Sequence, residues 1–310
     1  MTAVVEPGHA DGPHSGGPAP GQLGLPGVLV GLVKSEFRKI FSTNVWWALL
    51  IPVAVLTFGA GWLGASAGGL SALQVQVGEP LPMGLLTVSV STNLSAVLAA
   101  LFGTMAITSE HRHKTITTTY LAGTPRGGVM GSKLIAYAVV GLVYGLVNMI
   151  CASLGSLLGS GVAGLGNPGD WFALVGAGLI TIVLWTLLGV GLGGLVTSSV
   201  GSIIVLLVYK FVFEKTVMTL LAGSDFSGAS LYLPGAAGDG IVGNLAVPAF
   251  VTSLTGTDTG GVAQVASEVA HTIAGGSYGS PWWLSLITFT GYTALIVLVG
   301  WLVSRQRDIS

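Results

Sequence analysis

From Trp171 to Tyr209 the chain runs for 39 residues without one Asp, Glu, Lys or Arg. A single helix of that length would measure ~58 Å at ~1.5 Å per residue, about twice the ~30 Å hydrocarbon core of a bilayer. The run therefore has to turn, and the polar patch Thr197, Ser198 and Ser199 is the natural place. Segments of this kind satisfy their backbone polarity inside helices and offer apolar side chains to lipid. Composition extends the argument to the rest of the chain. Charged residues make up 7% of the 310, against ~25% in an ordinary soluble domain, and 51% are hydrophobic. Two soluble domains, the reading that length alone suggests, are excluded. The single Cys151 excludes a disulfide framework and any Cys-based metal site.

Apolar runs of about 20 residues mark six spans: Trp46 to Gly64, Leu86 to Ile107, Leu134 to Leu157, Phe172 to Val196, Val200 to Ala222 and Trp282 to Val303. Five spans is the rival count. Residues 1–24, rich in Gly and Pro, read as a disordered cytoplasmic tail without signal-peptide character. Residues 25–310 read as one membrane domain. Its first element is an amphipathic interfacial helix over Val28 to Phe41, in which Val30, Val33, Phe37, Ile40 and Phe41 recur at helical spacing among Lys34, Glu36, Arg38 and Lys39.

Charge placement orients the spans. Lys34, Arg38 and Lys39 precede the first span; Arg112, Lys114, Arg126 and Lys133 separate the second and third; Arg305 and Arg307 follow the sixth. The alternate connections carry only acids: Glu79, Asp170, Asp225, Asp239, Asp258 and Glu268. This is a positive-inside pattern with both termini cytoplasmic, and a five-span chain would place Arg305 and Arg307 on the wrong side. Seven of the 8 Trp lie near span ends, as interfacial aromatics do; Trp185 is mid-span and reads as packing. The segment 223–281 reads as extracellular, with short interfacial or re-entrant pieces, one of them helical over Val262 to Ala274. Gly141 with Gly145, and Gly189 with Gly193, permit close helix approach. Asn93-Leu-Ser95 fits a glycosylation pattern but falls inside a span.

Two places carry candidate function. The first is the connection 108–133, the longest and most charged on the cytoplasmic side. It reads as helical from Ser109 to about Leu121, then turns at Gly123, Thr124 and Pro125. The second is the fifth span. Lys210 stands near its middle, at a cost of roughly 2.5–3.5 kcal/mol on insertion scales, and Glu214 follows four residues later where the two can pair on one face. Lys210 and Glu214 are candidates for lining a pathway or meeting a second subunit. Self-neutralisation within the bundle is the alternative. His111 and His113 face apart on a helix and make no metal pair, and no catalytic set of side chains can be placed.

The order of these residues resembles the type-two ABC (ABC-2) transporter permease family. An acid and a base, Glu110 and Arg112, end the second span; Thr115 and Ile116 follow; then come Pro125 with Arg126, and Lys133 entering the third span. Lys114 stands where the family often has Gly. The entry helix with Glu36, Arg38 and Lys39, the fifth span with Glu214, the pair Leu233-Pro234 and the ending Arg307-Asp308 are similar as well. The resemblance implies an all-α six-helix exporter domain in the bacterial plasma membrane, working with a second permease copy or homologue. Glu110, Arg112, Lys114, Thr115, Pro125, Arg126 and Lys133 would then couple to a separate ABC ATPase subunit. ATP and Mg would belong to that partner, because none of the six lysines here is preceded by Gly as a P-loop requires. Membrane lipid is an expected partner and nucleic acid is not. The implied cargo is an amphiphilic small molecule, such as an antibiotic or drug. An ion-gradient-driven transporter using Lys210 and Glu214, and a non-transporting scaffold or immunity protein, are the rival readings.

Overall fold

The computed structural model describes residues 25–69, 82–113, 126–196, 198–221, 227–254, 267, 269–272, 274–276 and 280–307. Among them there is no strand. The helices are α1 (Leu25–Ser42), α2 (Val45–Gly69), α3 (Met83–His113), α4 (Arg126–Ser160), α5 (Pro168–Val196), α6 (Ser199–Val208), α7 (Glu214–Leu221), α8 (Pro234–Leu254) and α9 (Trp282–Arg307). Short 3-10 turns at Val162–Leu165 and Ser227–Tyr232 join α4 to α5 and lead into α8.

Within the described residues, α2, α3, α4, α5 and α9 are each long and apolar enough to cross a membrane. The remaining expected span is a composite. A π turn, Tyr209–Phe213, joins α6 to α7 without a break in helical backbone, and the Glu214 N–H bonds to the Tyr209 carbonyl five residues back. The composite runs over 23 residues from Ser199 to Leu221, or ~34 Å at 1.5 Å per residue, which matches a bilayer core. Ser198 caps α6 by accepting a hydrogen bond from the Gly201 N–H, so the expected turn falls where the polar patch stands.

The core is organised around α3. In its most apolar window 72% of residues are buried, against 22% in α2 and 17% in α9. One cluster joins α3, α5, α8 and α9 through Val88, Leu174, Trp185, Ile241 and Phe289. Another joins α1 to α5 through Ile40, Val53, Phe102, Tyr144 and Ile182. Lipid-like surroundings give helices no hydrophobic reason to associate, so their seams rely on close backbone approach and on polar bonds. Both are present. A Cβ at Gly189 would collide with the Ala100 carbonyl, one at Gly193 with that of Thr104, and one at Gly103 with that of Thr186, so α3 and α5 meet backbone to backbone. Gly155 and Gly159 face Phe58 and Trp62 across the α2–α4 seam, and Gly191 faces Gly300 across the α5–α9 seam. The expected Gly189–Gly193 pair is one such seam; Gly141 and Gly145 fit against Thr186 and Leu179 of α5.

Polar side chains cross the same seams. Ser95 donates to Asn148 Oδ1 at 2.8 Å, and Asn148 Nδ2 donates to Thr92 at 3.2 Å, tying α3 to α4. Asn93 Nδ2 donates to the Ala274 carbonyl at 3.0 Å, so the Asn93-Leu-Ser95 triplet is an interior feature.

The connection between α7 and α9 departs from expectation. Where short interfacial or re-entrant pieces are expected, it contains the 21-residue α8, longer than expected and packed into the bundle against α3, α5 and α9. Ala237, Ile241, Val242 and Ala246 of α8 are fully buried. Beyond it, residues 267, 269–272 and 274 are helical, and Ser89 and Asn93 of α3 both donate to the carbonyl of Ala274. Gly275 and Gly276 follow, both at φ of 86°, a left-handed conformation that glycine adopts without strain.

Candidate functional site

The first candidate region lies where α1, α3 and α4 converge. Glu36, on the inner face of α1, is only 4% exposed. Its Oε1 accepts from Lys39 Nζ at 2.7 Å and its Oε2 from Lys133 Nζ at 3.0 Å. Lys133, on the first turns of α4, is buried too and also donates to the Ala106 carbonyl of α3 at 3.3 Å. One carboxylate thus ties the interfacial helix to the ends of the second and third spans. Lys39 is the half-exposed partner and contributes little, while Lys133 is the desolvated one. Arg38 is exposed.

The sequence assigned Glu36 to an entry helix and Lys133 to a separate loop; the fold joins them. Glu110 and Arg112 fall on the last turns of α3 and Arg126 opens α4, with the side chains of all three outside the described residues. Lys114, Thr115, Ile116 and Pro125 lie outside them altogether. Replacing Glu36 with Gln removes the carboxylate that Lys39 and Lys133 share, and we expect a loss of about 2 kcal/mol. It will show as faster hydrogen exchange across α1, while Arg38→Gln leaves exchange there unchanged.

The second candidate region is built by the π turn. Lys210 is 6% exposed, and its ammonium sits 2.7 Å from both carboxylate oxygens of Asp239 on α8. Its remaining proton is directed to the Gly235 carbonyl at 3.3 Å, and the ring centre of Trp185 lies 4.9 Å away. The three donors of the ammonium therefore have three acceptors, with an aromatic face beside them. Trp185 is 2% exposed and packs on Phe289, in keeping with its reading as packing.

The alternative in which Lys210 pairs with Glu214 is not what the fold shows: the ion-pair partner of Lys210 is Asp239. Four-residue spacing brings side chains together only in α geometry; the extra residue of the π turn turns them apart, and Lys210 finds Asp239 instead. Glu214 serves the first turn of α8. Its Oε1 accepts a short hydrogen bond from the Ala236 N–H, where the helix dipole favours a negative charge. Pro234, with no N–H to lose, opens that helix. Gly235 has room only for a hydrogen, since a Cβ there would collide with Glu214 Oε2.

Asp239 is the residue of this candidate region that sequence reasoning left among ordinary outside acids. Its signal was present: it is the only acid in the otherwise uncharged run from Pro234 to Leu254, downstream of a lone mid-span Lys. His271 lines the same region, where burial holds its imidazole below the usual range. Among the described residues no three His, Cys, Asp or Glu side chains are placed to hold a metal ion.

Against this geometry, the family model for ABC-2 family transporter proteins matches residues 32–213. The chain belongs to the ABC-2 transporter family. The match covers more than half its length, from α1 across the 108–133 connection to the end of the π turn. Comparison with curated proteins finds no match. The ABC-2 assignment makes the chain a multi-pass transmembrane component of an ABC transporter, in agreement with the all-helical fold. The Glu36–Lys133 tie lies within the matched ABC-2 region; Glu214, α8 and Asp239 lie beyond its end.

Proposed function

We propose that this chain is the permease subunit of an ATP-driven exporter, taking its energy from a separate ATPase subunit and moving an amphiphilic small molecule out of the cell. The observation that carries this reading is the Glu36–Lys133–Ala106 junction at the root of the 108–133 connection. Force applied to that connection from below would enter α3 and α4 directly, with α1 fixed to both. Because α3 is the most buried spanning helix, its displacement would be felt by α2, α4, α5, α6 and α8, which all pack on it. In this reading Glu110, Arg112, Lys114, Thr115, Pro125 and Arg126 form the docking surface for the ATPase, which holds ATP and Mg. Both termini are cytoplasmic, and a second permease copy completes the pathway.

The test is purification in mild detergent from cells that also express the neighbouring reading frames. An ATPase subunit is expected to co-purify in stoichiometric amount. Substituting Ala for Glu110 or Arg112 should lower the recovered partner, or permease-stimulated ATP hydrolysis, about tenfold, equivalent to ~1.4 kcal/mol of coupling. A chain that is monodisperse alone, binds no ATPase and moves substrate only under an ion gradient would overturn the proposal. Lys210 and Glu214 would then be the residues to examine for proton coupling.

A further inference from the structure

The outward charges of α1 are all of one sign. Glu36 is the only acid of the helix, and the fold turns it inward onto Lys39 and Lys133. Lys34 and Arg38 are exposed, and neither makes a hydrogen bond or an ion pair with a described residue. They stand four residues apart, one turn along the same face.

At ~100° per residue the surface of α1 divides into arcs. Glu36 and Ile40 are buried, and Leu32 and Val33 half-buried, on the arc that faces the bundle. Past the half-buried Phe37 come Val30 and Phe41, within ~20° of each other and exposed by 67% and 54%. Lys34 and Arg38 follow, ~40° and ~80° round from Val30, at heights between Val30 and Phe41. Gly31, Ser42 and Ser35 lie on their far side. An exposed apolar edge, two adjacent cations and then small polar residues repeat the order of hydrocarbon, phosphate and water across the surface of one leaflet. The helix lies where that boundary falls. Only Thr43 and Asn44 separate it from α2, whose membrane-crossing stretch begins at Val45, and Glu36 ties it to the first turns of α4.

We propose that this face of α1 binds an anionic phospholipid, with its phosphate between Lys34 and Arg38 and an acyl chain against Val30 and Phe41. A zwitterionic head group brings its own ammonium to the same place and gives the two cations no net countercharge. The site therefore distinguishes phosphatidylglycerol from phosphatidylcholine. It depends neither on the cargo nor on how transport is powered.

The full chain, purified in a non-ionic detergent, would be incubated with equimolar phosphatidylglycerol and phosphatidylcholine of identical acyl chains, and retained lipid counted by native mass spectrometry. Retention of the glycerol lipid should exceed that of the choline lipid by about twenty-five-fold, a factor of about five for each basic residue at an anionic surface. Lys34→Gln or Arg38→Gln alone should cut the preference about fivefold, and the two combined should remove most of it. Lys215→Gln, at an exposed position on α7, should leave the preference intact. Equal retention by the native chain overturns the proposal and leaves Lys34 and Arg38 to an acidic protein surface. An unchanged preference in the double variant overturns it as well. So does an equal drop in Lys215→Gln, which would mark general attraction between charges and no site on α1. If soluble glycerophosphoglycerol competes as well as the lipid, the apolar edge has no role and the phospholipid assignment falls.

Discussion

Lys210→Met will destabilise the protein by about 3–5 kcal/mol, the usual result of stripping one partner from a buried ion pair. Asp239 would keep a carboxylate whose side chain is only 14% exposed, with no cation against it. Glu214, which also feels the Lys210 charge, would stand beside it as a second acid. The chain would then hold two acids near one another where it now holds a salt bridge and a helix cap. Removing the second charge tests the cause. Lys210→Met combined with Asp239→Leu should recover most of the loss, because a buried pair replaced on both sides by apolar groups of similar volume is close to neutral. Unfolding by SDS titration in mixed micelles, run on both single variants and the double, would give the coupling energy directly. A pair worth less than ~1 kcal/mol in that cycle would show that water reaches the site and screens it.

Gly189→Leu will be the most damaging substitution on the spanning helices outside the charged cluster. The obstacle is the Ala100 carbonyl oxygen, a backbone atom with no rotamer to change. Overpacking a seam with side-chain freedom costs ~1–3 kcal/mol, and here the whole of α5 has to move away from α3, so a loss above ~3 kcal/mol is expected. Gly176, on the same helix, is the control. It is exposed and meets nothing within 4 Å, so Gly176→Ala should be neutral or stabilising by up to ~1 kcal/mol through helix propensity alone. The same titration separates the two. Equal sensitivity at both glycines would mean that α3 and α5 are not in backbone contact.

The spans were legible because each is written in a language of absence. No charge interrupts 171–209, and no ordinary soluble core explains such a run. The helix α1 was legible from spacing, and the seam at Gly189 and Gly193 from small residues four apart. What could not be read was the partner of Lys210. Tyr209–Phe213 contains neither Gly nor Pro, and nothing in its composition announces a π turn, so ordinary helical spacing pointed to Glu214. The helix α8 was hidden for a different reason. Gly235, Gly238, Gly240 and Gly243 gave it the composition of a loop, whereas in the fold they admit neighbours: Gly238 lies against the Trp185 indole, Gly240 against Ser285, and Gly243 against the Gly275 carbonyl. The tie between Glu36 and Lys133, 97 residues apart, could not be read because each residue had a plausible separate role.

The glycine seams also divide the molecule into what can move and what cannot. Helices that slide past each other do so by exchanging side-chain rotamers between them, and a seam closed carbonyl to Cα leaves no such layer to rearrange. The pairs α2–α4, α3–α5 and α5–α9 are closed in this way, which gathers the five long apolar helices into two tight groups, α2 with α4 and α3 with α5 and α9. The composite of α6 and α7 has no glycine seam of that kind and meets α8 chiefly through polar groups, Lys210 on Asp239 and Glu214 on the first turn of α8. A displacement of this composite against α8 would therefore be opposed by an ion pair and a helix cap and not by closed backbone.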